Sequence, residues 1–281
     1  MAIKLGYQTL SWFWYPDEFT VFQMLEEVRL AGFGAVEFND DLKRLGSAEE
    51  ISRDLGILNM HCAGLCSYEH MIAVKQQITD WKNRIVFAGK LGVKALPITL
   101  GWRETGDPIN DTAYRTLGKN LEELAAEAAK YDMQLAFAPR YATLVENSRD
   151  MEALMPYLKT VKICADMVTL AVNGEDPVEF VKRYADQIIY ARIGDWQIHK
   201  TVPLGTGQPM RVHQTWSGTA STEVAGQAAV LSTLDTPRFL AALEEIDYNG
   251  FVVVNQGTTD PNYTPLRAAT ISREYLRKIG Y

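Results

Sequence analysis

The sequence lacks the features that mark secreted, membrane-spanning and nucleic-acid-binding proteins. It has only three cysteines, Cys62, Cys66 and Cys164, and no secretory leader pattern at its start, so we expect a reducing cytoplasm rather than a disulfide scaffold. No apolar run reaches the roughly 18 residues that a membrane span needs. Acidic residues outnumber basic ones by 35 to 28, and this excess predicts no general attraction to nucleic acid or to an anionic membrane.

Several catalytic motifs are also missing. The chain has no serine elbow, phosphate-binding loop or HExxH pattern, which disfavours a nucleophilic hydrolase. Cys62 and Cys66 are not followed by a second cysteine or histidine pair at metal spacing, so a zinc site is not expected there.

Short β-branched or apolar runs alternate with segments of helical period, and eight such pairs can be counted. The predicted strands are 3–8, 35–38, 57–61, 94–98, 134–138, 161–165, 188–193 and 250–255. The clearest predicted helices are 17–31 and 112–131, and Asp176 and Thr236 are predicted N-caps because each precedes a proline. No glycine-rich phosphate turn follows the first strand, so a single-domain (β/α)8 barrel over residues 1–281 is favoured over an open doubly wound sheet.

A segment rich in Gly, Ser, Thr, Gln and Pro, from about 198 to 232, interrupts the regular spacing of the units. Loops of this length in a compact domain are usually functional, so we interpret it as a lid over a site. A disordered surface loop is the alternative.

The predicted strand ends are strongly polar, and in such a barrel the chemistry gathers at the carboxyl ends of the strands. The residues concerned are Gln8, Glu37, Asn39, His61, Cys62, Thr99, Ala138, Arg140, Asp166, Arg192, Asp195, Asn255 and Gln256.

The segments GYQTLSW, AGFGAVEF, LGVKAL, DPVEFVKRYADQIIYARIGDW and YNGFVVVNQ resemble the xylose isomerase-like TIM-barrel superfamily over nearly the whole chain. This group includes sugar isomerases and epimerases, inosose dehydratase-like enzymes and endonuclease IV-type proteins. The endonuclease type needs a histidine-rich zinc centre and a basic face, so four scattered histidines and a charge of −7 disfavour it.

The resemblance also implies a divalent metal held by two glutamates, an aspartate and a histidine or glutamine. Matched by position, these ligands fall on Ala138, Asp166, Arg192 and Asn255, so only the aspartate remains. One carboxylate beside a guanidinium makes a poor cation site, which predicts that the family metal and any other cofactor are absent. A slipped alignment, with Glu37, His61, Asp166 and Asp195 forming a displaced site, is the alternative.

Four residues are predicted to be catalytic. His61 or Glu37 would act as the base, Asp166 as the acid or orienting group, and Arg192 as the electrophile that stabilises an enediolate. The alternatives are structural, with His61 as a core residue and Glu37 paired to neighbouring strand ends. Arg140 and Arg192 are predicted to bind an anionic group, unless Arg192 instead forms an internal ion pair with Asp166.

Other residues at the same end are predicted to bind substrate. Trp12, Trp102 and Trp196 would form walls that stack against a sugar ring, unless they only pack between loops. Asp195, Asn255 and Gln256 would contact the substrate from strand ends, and His213 would reach it from the lid.

These observations predict a sugar isomerase, epimerase or dehydratase that acts on a polyhydroxy carbonyl substrate by side-chain acid and base chemistry, without metal. The expected partner is a small sugar-like or anionic molecule, with no nucleic acid or membrane, and a homo-oligomer is compatible with the resemblance. The alternative function is a non-catalytic ligand-binding or supporting subunit.

Overall fold

Eight parallel strands form the barrel that the sequence predicts. The computed structural model describes residues 3–13, 15, 17–66, 74–101, 109–140, 143–197, 200–202, 210–211, 230–231, 234–256 and 264–281. The barrel strands are β1 (Lys4–Gln8), β2 (Ala35–Phe38), β3 (His61–Leu65), β4 (Ala95–Ile98), β5 (Gln134–Phe137), β6 (Lys162–Asp166), β7 (Ile188–Ile193) and β12 (Phe251–Val254). Their order in the sheet is β3-β2-β1-β12-β7-β6-β5-β4, and β3 lies beside β4 to bring the two edges together.

Helices connect these strands and cover the outside of the barrel. They are α1 (Leu10–Phe13), α2 (Val21–Ala31), α3 (Leu42–Leu45), α4 (Ala48–Ile57), α5 (Val74–Lys90), α6 (Asp111–Ala129), α7 (Ser148–Leu154), α8 (Met167–Val172), α9 (Pro177–Arg183), α10 (Thr236–Glu245) and α11 (Pro265–Lys278). Short 3-10 turns follow α7 and α9. No helix within the described residues is both long enough and apolar enough to cross a bilayer.

Two apolar cores hold the fold together. The larger lies between the helices and the outer face of the sheet. The smaller fills the barrel interior, where Tyr190 is surrounded by small side chains; its buried members are Ala35, Ala63, Ala136, Ala138, Cys164, Tyr190 and Val253. Because side chains alternate along a strand, the inward position two residues after Tyr190 belongs to Arg192.

Local capping explains where several helices begin and end. Thr20 caps α2 through a reciprocal box with Gln23, and Gly32 ends the helix at a φ of 98°. Asp176 caps α9 as predicted, with its carboxylate accepting from the backbone N–H of Val178 at 2.8 Å. Asp235, and not Thr236, caps α10, so the predicted cap there is wrong by one residue.

The third strand differs from its prediction in a way that affects the site. The apolar run 57–61 is not a strand: Ile57 ends α4, and Asn59 turns the chain with a φ of 50°. The strand begins at His61 and runs to Leu65. The sequence misleads because the last turn of an amphipathic helix and a short buried strand look alike when each is apolar.

Four short strands lie within or directly before the predicted lid region. The strands are β8 (Asp195–Gln197), β9 (Lys200–Val202), β10 (Met210–Arg211) and β11 (Val230–Leu231). β8 pairs with β9, and β10 pairs with β11, both in antiparallel fashion. The described part of the insertion therefore contains paired strands, while its role as a lid stays a prediction.

Candidate functional site

Glu37, the third of the four residues of β2, lies at the centre of the barrel mouth, the end of the barrel where the strands terminate. Its side chain is fully buried and both carboxylate oxygens are occupied. Oε2 accepts from the Tyr190 hydroxyl at 2.6 Å and from Arg192 Nε at 3.1 Å. Oε1 lies 3.0 Å from Arg192 Nη2 and also accepts from the Gln8 amide. Four donors on two oxygens make Glu37 a fixed counter-ion.

Arg192, near the end of β7, connects this carboxylate to a second one. Its guanidinium grips Glu37 through Nε and Nη2, and its Nη1 lies 3.8 Å from Oδ2 of Asp166 at the end of β6. Burial opposes the charge on Arg192, but the combined effect of Glu37, Asp166 and two nearby thiols outweighs burial and raises the pKa of Arg192 well above its usual value. A guanidinium has five N–H groups and Glu37 takes two, so Arg192 keeps donors for further oxygen atoms.

One carboxylate oxygen of Asp166 caps a helix, and the other faces Arg192. Oδ1 accepts from the backbone N–H of Thr169 at 3.0 Å and so caps α8. Oδ2 faces Arg192 and accepts from the side-chain amide of Asn255 at 3.3 Å. The structure therefore brings Asp166, Arg192 and Asn255 together at neighbouring strand ends, as the sequence predicts.

Tyr190 supports the pair from the barrel interior. Burial and the nearby charge of Glu37 raise the pKa of its hydroxyl well above the usual value, so it remains a donor across the neutral range. Tyr190 is not among the site residues that the sequence predicts. Its spacing of two from Arg192 on one strand is the signal that could have found it.

The residues at the four aligned metal positions do not fit a divalent cation. Ala138 offers no ligand, and Arg192 places a permanent positive charge beside Asp166. The Glu37 carboxylate is already saturated by donors. Within the described residues, no three His, Cys, Asp or Glu side chains are grouped closely enough to hold a metal ion.

The structure corrects the position of His61. This residue is the first of β3, pairs with Ala35 at the start of β2, and has an exposed side chain. It lies at the end of the barrel opposite Glu37, so the prediction of His61 as a base at the mouth is wrong. The error follows directly from the misplaced third strand.

Trp12 also does not lie at its predicted position. Its ring is fully buried, stacks edge-on against Tyr7, and donates from Nε1 to Glu27 at 2.7 Å. A ring packed into the core cannot form a wall against substrate, so that prediction is wrong for Trp12. Trp102 and His213 lie outside the described residues, and Trp196 is placed only as a member of β8.

Asp195 and Arg140 are two further predicted residues. Asp195 is buried at the start of β8, and its charge helps burial to raise the pKa of Tyr275 on α11, so it lies toward that helix. Burial raises the pKa of the Cys66 thiol, and the charges of Arg192 and Arg140 oppose that rise. Joint binding of an anion by Arg140 and Arg192 stays a prediction.

A separate cavity of about 230 Å³ lies between α8, α9 and α10. It begins at Met167, one residue beyond Asp166, and acidic side chains with Arg238 line part of it. Neither Asp166 nor Arg192 reaches it, so we distinguish it from the mouth.

The fold defines a (β/α)8 barrel, and its polar mouth is the candidate site because such barrels carry their chemistry at the carboxyl ends of the strands. Within that class, the chain belongs to the xylose isomerase-like TIM barrel family, whose sequence profile matches residues 25–279. An inosose dehydratase from Clostridium perfringens is 22% identical, with 98% of this chain and 97% of the relative aligned. An inosose dehydratase from Geobacillus kaustophilus is 23% identical over 98% of this chain and 94% of its own length.

Solved structures share the same fold at lower sequence identity. The 3-keto-D-glucoside 4-epimerase YcjR from E. coli is 15% identical, with a TM-score of 0.72 over 99% of both chains. A D-allulose 3-epimerase from Methylomonas sp. is also 15% identical, with a TM-score of 0.75 over 98% of this chain and 96% of its own. The IOLI protein, described with a binding zinc atom, is 16% identical, with a TM-score of 0.74 over 99% of this chain and 98% of its own.

Proposed function

We propose that this chain is an enzyme of the isomerase, epimerase or lyase class that acts on a polyhydroxy carbonyl compound, without the divalent metal associated with its family. The observation that carries the proposal is the buried pairing of Arg192 with Glu37, 3.8 Å from the Asp166 carboxylate. Relatives aligned over almost the whole chain bear the names of inosose dehydratases. These names support an enzyme and give no support to the alternative of a non-catalytic subunit.

The proposed chemistry is proton transfer at the carbon next to a carbonyl group. The remaining N–H groups of Arg192 would donate to the carbonyl oxygen and stabilise the negative charge that develops there. Asp166, whose Oδ2 faces the same guanidinium, would accept or return the proton. Glu37 is held by four donors, so it fits the role of fixing Arg192 better than that of the base predicted from the sequence.

Asp166 can be tested without losing its structural role, because asparagine is also a good N-cap. The protein is incubated in D2O with an inosose, with D-allulose and with a 3-keto-glucoside, in the presence of a chelator. Deuterium at the carbon next to the carbonyl is measured by NMR. We expect exchange in the wild type, a loss of about 10²–10⁴-fold in Asp166→Asn, and no change in the surface control Asp186→Asn.

Two outcomes would reject this proposal. Exchange that disappears with the chelator and returns with a divalent metal would contradict the metal-free chemistry. The absence of exchange with every keto compound would instead favour a ligand-binding barrel.

A further inference from the structure

Asn255 follows β12 directly, and its backbone is fixed from two sides. Its N–H donates to the carbonyl oxygen of Ile193 at 2.7 Å, which continues the pairing of β12 with β7 by one step. A Cβ added at Gly194 would lie 2.7 Å from the carbonyl oxygen of Asn255 and 2.8 Å from Cγ2 of Val168. Because glycine carries no Cβ, the ends of β7 and β12 and the start of α8 can come this close together.

The side chain of Asn255 points into the mouth. Val253, two residues earlier, lies in the small core inside the barrel, and side chains two residues apart on a strand share a face. Gln256 turns to the opposite face, where the Tyr7 hydroxyl donates to its amide oxygen. On the inner face, Asn255 Nδ2 donates to Asp166 Oδ2 at 3.3 Å, across β7, which lies between β12 and β6 in the sheet.

The contact with Asn255 holds Oδ2 of Asp166 in place. The other oxygen, Oδ1, is used by the backbone N–H of Thr169 at the start of α8. Arg192 Nη1 lies 3.8 Å from Oδ2, which is too far for a hydrogen bond. An ionised carboxylate oxygen has two lone-pair directions. Asn255 donates along one of them, so the other is left to accept a proton.

We propose that Asn255 is a positioning residue that aims Oδ2 of Asp166 at the carbon next to the substrate carbonyl, instead of the substrate contact that the sequence predicts. The amide nitrogen has to face Oδ2, because the amide oxygen in its place would repel the carboxylate. The donated hydrogen bond keeps the free lone pair of Oδ2 close to Arg192, which would hold the carbonyl oxygen. The inference rests on the proposed function, since Asn255 acts only through Asp166.

Asn255→Leu removes the donor and keeps a side chain of similar size. Deuterium exchange is measured in D2O with a chelator, over a range of concentrations of the inosose, D-allulose or 3-keto-glucoside that exchanges fastest. We expect kcat to fall about 10–100-fold, because a base that is aimed wrongly by even a small distance reacts slowly. KM should stay within about twofold of the wild type, since the contacts that bind the substrate are kept.

Asn255→Asp is the second variant and keeps the shape of the asparagine side chain if leucine does not fit. It places an acceptor in front of Oδ2 where the amide donated. We expect kcat to fall at least as far as in Asn255→Leu, again without a rise in KM.

Asn173→Leu is the matched control, because Asn173 ends the helix that Asp166 begins. Its Nδ2 donates to the backbone carbonyl oxygen of Glu146, so this variant also loses one amide hydrogen bond. We expect a lower melting temperature with unchanged kcat and KM. A loss of kcat in Asn173→Leu as large as in Asn255→Leu would overturn the inference, because the stability of α8 would then explain both.

The ¹³Cγ resonance of Asp166, assigned by its absence in Asp166→Asn, reports the contact without any substrate. We expect this resonance to shift in Asn255→Leu and to stay in place in Asn173→Leu, and an unmoved resonance in Asn255→Leu would overturn the inference. The same shift without exchange in the wild type would remove only the proposed chemistry. Exchange in the wild type, with either an unchanged kcat or a raised KM as the effect of both Asn255 variants, would remove only the positioning role.

Discussion

Glu37 and Arg192 depend on each other because both charges are buried. The exposed fractions of their side chains are 0% and 4%, so neither group can regain water if its partner is removed. The two-pronged contact and the Tyr190 hydroxyl compensate for the lost hydration. Such a pair holds a precise arrangement at the mouth, and the cost of breaking it exceeds its net contribution to stability.

Glu37→Gln leaves the Arg192 guanidinium buried beside a neutral amide. We expect the free energy of unfolding to fall by about 3–5 kcal/mol, as measured by urea denaturation. Adding Arg192→Met removes the unpaired charge, so the double variant should recover much of that loss.

Glu49→Gln provides the comparison, because Glu49 pairs with Lys90 at 3.2 Å where both side chains are well exposed. The free energy of unfolding of this variant should equal that of the wild type within error. Equal stability of Glu37→Gln and the wild type would contradict the described pairing.

The sequence identifies Asp166, Arg192 and Asn255 correctly as neighbours at the mouth, because strand order and the period of two determine their positions. It does not identify the true partner of Arg192. The sequence favours Asp166, whereas Glu37, on a strand far away in sequence, makes the closer contacts. Glu37 and Arg192 meet only because the barrel closes, so no local sequence pattern predicts their contact.

The strand β3 must pass close to the tyrosine that fills the barrel. A Cβ added at Gly64 would lie 2.9 Å from Pro97 Cδ and 3.1 Å from the Tyr190 hydroxyl. Only glycine lets β3 pack here while the hydroxyl keeps its 2.6 Å contact with Glu37.

Gly64→Ala should therefore displace Tyr190 and weaken its contact with Glu37. We expect a loss of about 1–3 kcal/mol in the free energy of unfolding, measured by denaturant titration.

Gly34→Ala is the matched control, since no atom lies within 4 Å of its added Cβ and its φ is outside the left-handed region. Its stability should be unchanged or slightly higher. A Gly64→Ala variant as stable as Gly34→Ala would show that β3 has room to move.

The sequence predicts the barrel and the bounds of most strands to within one or two residues, because buried parallel strands stand out as short apolar runs. It fails for β3 and for the start of α2. The helix begins at Val21 after the Thr20 cap, four residues later than the predicted start at residue 17. Asn59 adopts a positive φ just after α4, and an asparagine in that place is the one signal in this run that marks a helix end rather than a strand.

The chain carries many buried groups that lose a proton only at high pH. Burial raises the pKa of the thiols of Cys62, Cys66 and Cys164, and of the hydroxyls of Tyr7 and Tyr190. Thiols of the unfolded chain ionise near about pH 8.5 and phenols near about pH 10. Above those values the folded state binds more protons than the unfolded state, so stability is full below them and falls as the pH rises.

We expect the free energy of unfolding to fall by about 2 kcal/mol or more between pH 8 and pH 10, as measured by urea denaturation under reducing conditions. Cys164→Ala removes one of the titrating thiols. The free energy of unfolding of this variant should therefore fall less steeply with pH than that of the wild type, whatever its value at pH 8. A flat profile, or an unchanged slope in Cys164→Ala, would contradict the burial of these groups.

The central claim concerns the position that relatives are expected to fill with a cation, where this chain places Arg192 against Glu37 and Asp166. The most direct measurement is metal analysis of the purified protein after dialysis against Mn²⁺, Co²⁺ or Zn²⁺ and then against metal-free buffer. We expect far less than one ion per chain in every case. One tightly held ion per chain, lost in Asp166→Asn, would contradict it.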